Sequence, residues 1–120
     1  HCDFVMGVPG GMPGTAAALV AGVNALPDAV TSWSATGIGR STLPVMLASL
    51  SMGGHLRVGM EDVLTLAKGV PVERNAQLVE RAVTAAGLVG RPPLDGKEAR
   101  RLLGLAGESD GSGAPAARRV

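Results

Sequence analysis

An α/β fold, with parallel strands joined by helical crossovers, is predicted by three features of this 120-residue chain. Short apolar segments alternate with segments of helical composition, in the order strand, helix, strand, helix, strand, helix, the pattern of consecutive βα units. The strand segments read as near-continuous apolar runs, as expected where helices cover a sheet. Glycines cluster in the loops that follow them, as in Gly10-Gly11 and Gly37-Ile38-Gly39. Two architectures fit this pattern: a three-layer α/β sandwich, or part of a (β/α)8 barrel. A whole barrel takes about 250 residues, so three units make less than half of one.

Residues 2–8, apolar with Phe4 and Val5 and closed by Pro9-Gly10-Gly11, predict a buried strand. Thr15 is placed to cap a helix over 16–26, which Pro27 helps to end. Residues 29–35, with Val30, Thr31 and Trp33, predict the second strand, and residues 36–40 the loop after it. Ser41 or Thr42 caps the next helix, Pro44 fits its first turn, and residues 45–52 continue it to Gly53-Gly54. Residues 55–60 predict a third strand with Glu61 and Asp62 just past its end, and residues 63–72 read as a short helical turn and a loop. From Asn75 an amphipathic helix carries Leu78, Val79, Ala82, Val83 and Ala86 on one stripe. Asp95 and Glu98 have capping-box spacing and open a last short helix with Leu102 and Leu103. Residues 1–106 therefore make one domain. Residues 107–120, made of Gly, Ser, Ala, Pro and Arg among a few others with no apolar period, are expected to be a disordered tail.

Composition narrows the function classes. Apolar residues are 46% and charged residues 18%, enough to build a core. With a net charge of +1, scattered cations and 2% aromatics, the chain has neither the electrostatic footprint nor the stacking platforms of a nucleic-acid binder. No apolar run reaches the roughly 20 residues that span a membrane. One cysteine, Cys2, excludes an internal disulfide and any multi-cysteine metal site. A soluble, cytoplasmic globular chain is the expectation. The chain opens at His1 inside a strand, without an initiator Met or a signal-peptide pattern, so a preceding segment is expected.

In such folds ligands bind at the carboxyl ends of the strands. Around the third strand, Arg57, Gly59 and Glu61 alternate onto one face, with Asp62 beside them. Arg57 and Glu61 either meet a metal or substrate or pair with each other as a structural ion pair. Gly10, Gly11, Gly37 and Gly39 either bring backbone N–H groups to the phosphates of a ligand or serve as tight strand-to-helix turns. Arg40 reads as a phosphate contact or a solvated rim residue. Trp33 and the methionines read as core, and His55 as structural or solvated.

Three motifs resemble the β-keto acid cleavage enzymes, among them the 3-keto-5-aminohexanoate cleavage enzymes. They are Gly7-Val8-Pro9-Gly10-Gly11-Met12-Pro13-Gly14, Trp33-Ser34-Ala35-Thr36-Gly37-Ile38-Gly39-Arg40 with Leu43-Pro44, and Gly53-Gly54-His55-Leu56-Arg57-Val58-Gly59-Met60-Glu61-Asp62. They follow the family's order and spacing over residues 1 to 105. The resemblance implies the last three βα units of a (β/α)8 barrel that exchanges acyl groups between a β-keto acid and acetyl-CoA, with one Zn²⁺ and homo-oligomeric assembly. It implies that Glu61 is a zinc ligand, that Asp62 is the general base, and that Arg57 positions Asp62 and the substrate. It further implies two zinc-binding histidines in a His-x-His motif, which occurs nowhere in this sequence. The chain alone is therefore expected to be inactive. The competing expectations are a non-catalytic half-barrel that pairs with another chain, and an unrelated α/β phosphate-binding module.

Overall fold

The first three strands are parallel and adjacent in chain order, β1 (Cys2–Met6), β2 (Trp33–Gly37) and β3 (His55–Leu56). The computed structural model describes residues 1–105, and the expected tail lies outside the described residues. Cys2 stands opposite Trp33 and Met6 opposite Gly37, while Ser34 stands opposite His55. Between the strands run α1 (Ala16–Asn24) and α2 (Thr42–Ser51), the latter entered through a 3-10 turn over Gly39–Ser41. Thr15 caps α1 as expected, its hydroxyl accepting from the Ala18 N–H at 3.2 Å.

Register decides which side chains meet the helices. Phe4, Met6, Trp33 and Ala35 pack with Leu19 of α1 and Val45 of α2, so this side of the sheet is the core. Strand geometry then turns Asp3, Val5, Ser34 and Thr36 to the other side of the sheet. Met6, Leu19 and Val45 are fully buried. The strands thus alternate apolar and polar where near-continuous apolar runs were expected, and the polar side is where function is sought.

Several boundaries differ from the sequence reading, β1 ending at Met6 and not at 8, and α1 at Asn24 and not at 26. β2 begins at Trp33 and ends at Gly37, not at 29 and 35, because pairing with β1 sets its register. β3 ends as a ladder after Leu56, with one further long bond from the Arg57 N–H to Ala35 O at 3.4 Å. The chain then turns, and the N–H groups of Asp62 and Val63 both point back to Gly59 O, at 3.0 and 3.3 Å. Residues 63–72, expected as a helical turn and a loop, hold an antiparallel hairpin of β4 (Thr65–Ala67) and β5 (Val70–Pro71). Its turn is Lys68-Gly69, with Gly69 at φ +78°, a conformation that glycine adopts without strain.

The hairpin has a packing role. Val63 and Val72 bury against Leu78 of α3 (Asn75–Leu88), and Arg81 of the same helix donates to Leu66 O at 2.9 Å. One turn further on, Ala85 and Ala86 pack on Met46 and Leu50 of α2. The buried stripe of α3 is thus Leu78, Ala85 and Ala86, while Val79 and Val83 of the expected stripe are exposed. α4 (Gly96–Leu102) opens with the expected capping box, Asp95 accepting from the N–H groups of Lys97 and Glu98 at 2.8 Å.

Arg91, between α3 and α4, closes the end of α2. Its guanidinium donates to the carbonyls of Leu50, Gly53 and Gly54 at 3.0, 2.8 and 2.9 Å, tying it to the end of the helix and the turn after it. Arg91→Ala is expected to lower the unfolding free energy by about 1–3 kcal/mol, read as a shift of the urea midpoint. Arg91→Lys should recover only part of it, because an ammonium lacks the planar fork. An unchanged midpoint in Arg91→Ala would remove this closing role.

Candidate functional site

At the carboxyl end of the sheet the second and third strand-to-helix connections meet at Asp62. Its backbone N–H donates to Gly59 O and its carbonyl accepts from the Gly39 N–H at 2.7 Å, so the second and third connections are joined through this residue. Met60 is tied to the start of α3, its N–H donating to Asn75 Oδ1 at 2.8 Å. The first connection meets the second at Ser41. A Cβ on Gly14 would land on the Ser41 side chain, and one on Gly37 would land on the Ser41 carbonyl and the Thr42 nitrogen. Gly37 is needed there because two backbones touch.

The Asp62 side chain returns over the polar side of the sheet, and the residue is 6% exposed. A carboxylate buried so far needs partners for its oxygens. Thr36 Oγ1 donates to Oδ2 at 3.1 Å, and Arg57 Nη2 reaches Oδ1 and Oδ2 at 3.1 and 3.3 Å. The other end of the guanidinium, Nη1, meets Asp3 Oδ2 at 2.9 Å. Arg57 thus joins a carboxylate of the first strand to one of the third connection. Its pKa is raised, first by the hydrogen bond to Asp3, and further by the charges of Asp62, Asp3 and Glu61, against the opposing pull of desolvation. The group is cationic at any pH the protein would meet.

The line of hydrogen bonds continues past Asp3. Ser34 Oγ donates to Asp3 Oδ1 at 2.5 Å. A carboxylate only accepts, so the single Ser34 proton is used there and its oxygen accepts from His1 Nε2, 3.0 Å away. His1 Nδ1 lies 2.8 Å from Ser32 Oγ. His1 and His55 sit side by side with ring centroids 6.2 Å apart. His55 begins β3, as expected, and pairs with Ser34.

Glu61 sits on the turn beside Asp62 and is exposed. Its carboxylate folds back over Gly59, where a Cβ would collide with it, and its charge reaches Arg57. The ion pair weighed for Arg57 with Glu61 is replaced by pairs with Asp3 and Asp62. Gly10 and Gly11 lie exposed on the first connection, where the Gly11 N–H donates to Val8 O at 3.0 Å. Gly37 is buried at the end of β2, and Gly39 and Arg40 are exposed in the 3-10 turn. All of these residues share the carboxyl end of the sheet with Arg57, Glu61 and Asp62.

Asp3, Ser34 and Thr36 were not singled out in the sequence. The signal was the alternation Trp33-Ser34-Ala35-Thr36, with Asp3 between Cys2 and Phe4, which sets polar side chains at every second position of two strands. Trp33 packs in the core as expected, edge-on to Phe4 with centroids 6.1 Å apart. No helix among the described residues is long and apolar enough to cross a membrane.

The contact of Gly37 with Ser41 is open to test. Gly37→Ala must push the second connection off the sheet, with an expected cost of about 1–3 kcal/mol, the usual range for overpacking, read by chemical denaturation. Wild-type stability in this variant would mean that the two backbones do not meet.

Comparison with known proteins agrees with these motifs. The profile of the beta-keto acid cleavage enzyme family matches residues 1–105. The chain is 40% identical over 105 residues to a 3-keto-5-aminohexanoate cleavage enzyme of Acetoanaerobium sticklandii, covering 88% of this chain and 38% of that protein. It is 40% identical over 109 residues to a 3-oxoadipate:acetyl-CoA acetyltransferase of Cupriavidus necator, with the same coverage of 88% and 38%. Identity is also 40%, over 103 residues, to a 3-dehydrocarnitine:acetyl-CoA trimethylamine transferase of Rhizobium meliloti, covering 86% of this chain and 34% of that protein. The chain therefore spans little more than a third of the length of these relatives. With seven-eighths of its length inside one family profile, this chain belongs to the beta-keto acid cleavage enzymes.

Proposed function

We propose that residues 1–105 are the last three βα units of a (β/α)8 barrel that transfers acyl groups between a β-keto acid and acetyl-CoA, with Asp62 as its general base. The observation that carries this reading is the 6%-exposed Asp62 carboxylate at the mouth of the sheet, held by Arg57 and Thr36. Family membership supports the reaction class, and the names of the Cupriavidus and Rhizobium relatives both include acetyl-CoA. In a barrel the polar side of the sheet would be the interior, which explains why Asp3, Ser34 and Thr36 face away from the helices. The outer edge of β3 borders a groove of about 890 Å³, lined by Val79, Val83, Leu94 and Leu102 among others. A further parallel strand laid there would close the sheet on that side.

In this reading Asp62 takes a proton from the carbon between the keto and carboxylate groups, and the carbanion formed attacks the acetyl carbonyl of acetyl-CoA, breaking its C–S bond and expelling the CoA thiolate. The thiolate then attacks the original keto carbonyl, the C–C bond there breaks to give the new acyl-CoA, and Asp62 returns the proton to the acetoacetate carbanion. Arg57 holds the Asp62 carboxylate toward the substrate, and its charge favours the anionic form that accepts the proton. Gly10, Gly11, Gly37, Gly39 and Arg40, all at the same end, are placed for the CoA phosphates or pantetheine arm. The carboxyl ends of parallel strands bind ligands in this class of fold.

The donor set of the chain does not amount to a zinc site. Among the described residues no three His, Cys, Asp or Glu side chains are grouped to hold a metal ion, and protein zinc sites use three or four ligands. We assign Glu61 as one ligand of a zinc site completed by histidines outside these residues. Zinc, when bound, would polarise the oxygens of the β-keto acid. The segment is inactive by itself in this reading, and the complete enzyme is a cytoplasmic homo-oligomer.

The open β3 edge and its apolar groove favour a second reading, a non-catalytic piece that associates with another chain. One experiment separates the two. In the holoenzyme containing this segment, Glu61→Ala should lose zinc and activity together. Asp62→Asn should keep its zinc, with turnover lower by about 10²–10⁴-fold, the range for loss of a general base. Metal analysis and steady-state kinetics read both. Full zinc in Glu61→Ala would overturn the ligand assignment, and wild-type turnover in Asp62→Asn would overturn the base.

A further inference from the structure

Arg57 is long, flexible and 39% exposed along its side chain, so its contact with Asp62 alone does not fix where its guanidinium lies. What fixes it comes from the first strand. Asp3 on β1 takes Nη1 at 2.9 Å while Asp62 takes Nη2, so the planar fork is held at both ends. Asp3 is itself fixed, its second oxygen accepting from Ser34, its register neighbour on β2. Ser34 is held in turn by His1. Among the described residues Asp3 belongs to no apolar cluster, and its side chain makes these two polar contacts.

We propose that Asp3 is a positioning residue for the reaction: from the first strand it locks Arg57 in the orientation that aims and steadies the Asp62 carboxylate. The inference rests on the reading of Asp62 as the base. The Asp3 carboxylate is joined to Asp62 through the guanidinium, and it acts through that group. With Asp3 gone, Nη1 faces water and Arg57 is free to leave Asp62. That would cost turnover more than substrate binding, because the ground-state contacts of the substrate do not involve Asp3.

A double-mutant cycle in the holoenzyme containing this segment tests this. Asp3→Ala is expected to lower kcat by about 10–100-fold, the usual effect of losing a partner that orients a site residue. KM, zinc content and thermal midpoint should stay near wild type. Asp3→Asn keeps an oxygen toward Nη1 and should recover most of the loss. In an Arg57→Ala background, Asp3→Ala should cost nothing further, because its route to the site is already cut. A merely structural Asp3 would lower the thermal midpoint and add its loss to that of Arg57→Ala. Wild-type kcat in Asp3→Ala, or additive losses in the double variant, would overturn the proposal. The failure of the underlying reading is seen separately, as wild-type turnover in Asp62→Asn.

Discussion

The site depends on one guanidinium that spans two carboxylates brought together by the fold alone. Arg57 lies 54 residues from Asp3 in the chain, yet the two meet at 2.9 Å because β1, β2 and β3 are parallel and in fixed register. Asp62 is buried behind them, and a buried carboxylate is tolerated only when its charge and lone pairs are met. Thr36 of β2 and Arg57 beyond β3 meet them. The polar network therefore needs all three strands, as the core does. Cutting it at Arg57 leaves two carboxylates facing each other with no cation between them.

The same constraint shapes the connections. Three connections of unrelated sequence pack against one another at the carboxyl end of the sheet, and backbone contacts hold them there. Gly14 against Ser41 and the Gly39 N–H on Asp62 O set the second connection between its neighbours. A side chain at such contacts would separate the loops and carry Asp62 away from Thr36. Rigidity at this end comes from the strands and from these close approaches, which suits the proposed role of Asp62.

Much of this was legible in the sequence. The order of elements, the Thr15 cap, the capping box at Asp95 and the start of the third long helix all follow from local chemistry, and the structure has them. So do the grouping of Arg57, Glu61 and Asp62 and their place at a strand end. The hairpin at residues 65–71 was missed because its strands are two or three residues long, too short for period-2 alternation to register. β2 was set too early because its neighbour decides its limits, as composition alone cannot. Asp3 and Thr36 escaped for a related reason: each is an ordinary polar residue in an apolar strand. Only the pairing of Asp3 with Ser34 and Val5 with Thr36 shows that they share a face with Arg57. Spacing also suggested Glu61 as the partner of Arg57, since i and i+4 lie on one side of an extended strand. The turn at Gly59 ends that strand and brings Asp62 inward in its place.

The restraint of Arg57 at both ends is the claim on which the rest stands, and nitrogen-detected NMR of the arginine side chains reads it directly. A guanidinium gripped at Nη1 by Asp3 and at Nη2 by Asp62 cannot rotate freely about its Cζ–Nε bond. The account predicts two separate Nη resonances for Arg57, identified by their loss in Arg57→Lys. A single averaged Nη resonance, like that of a solvated arginine, would contradict it.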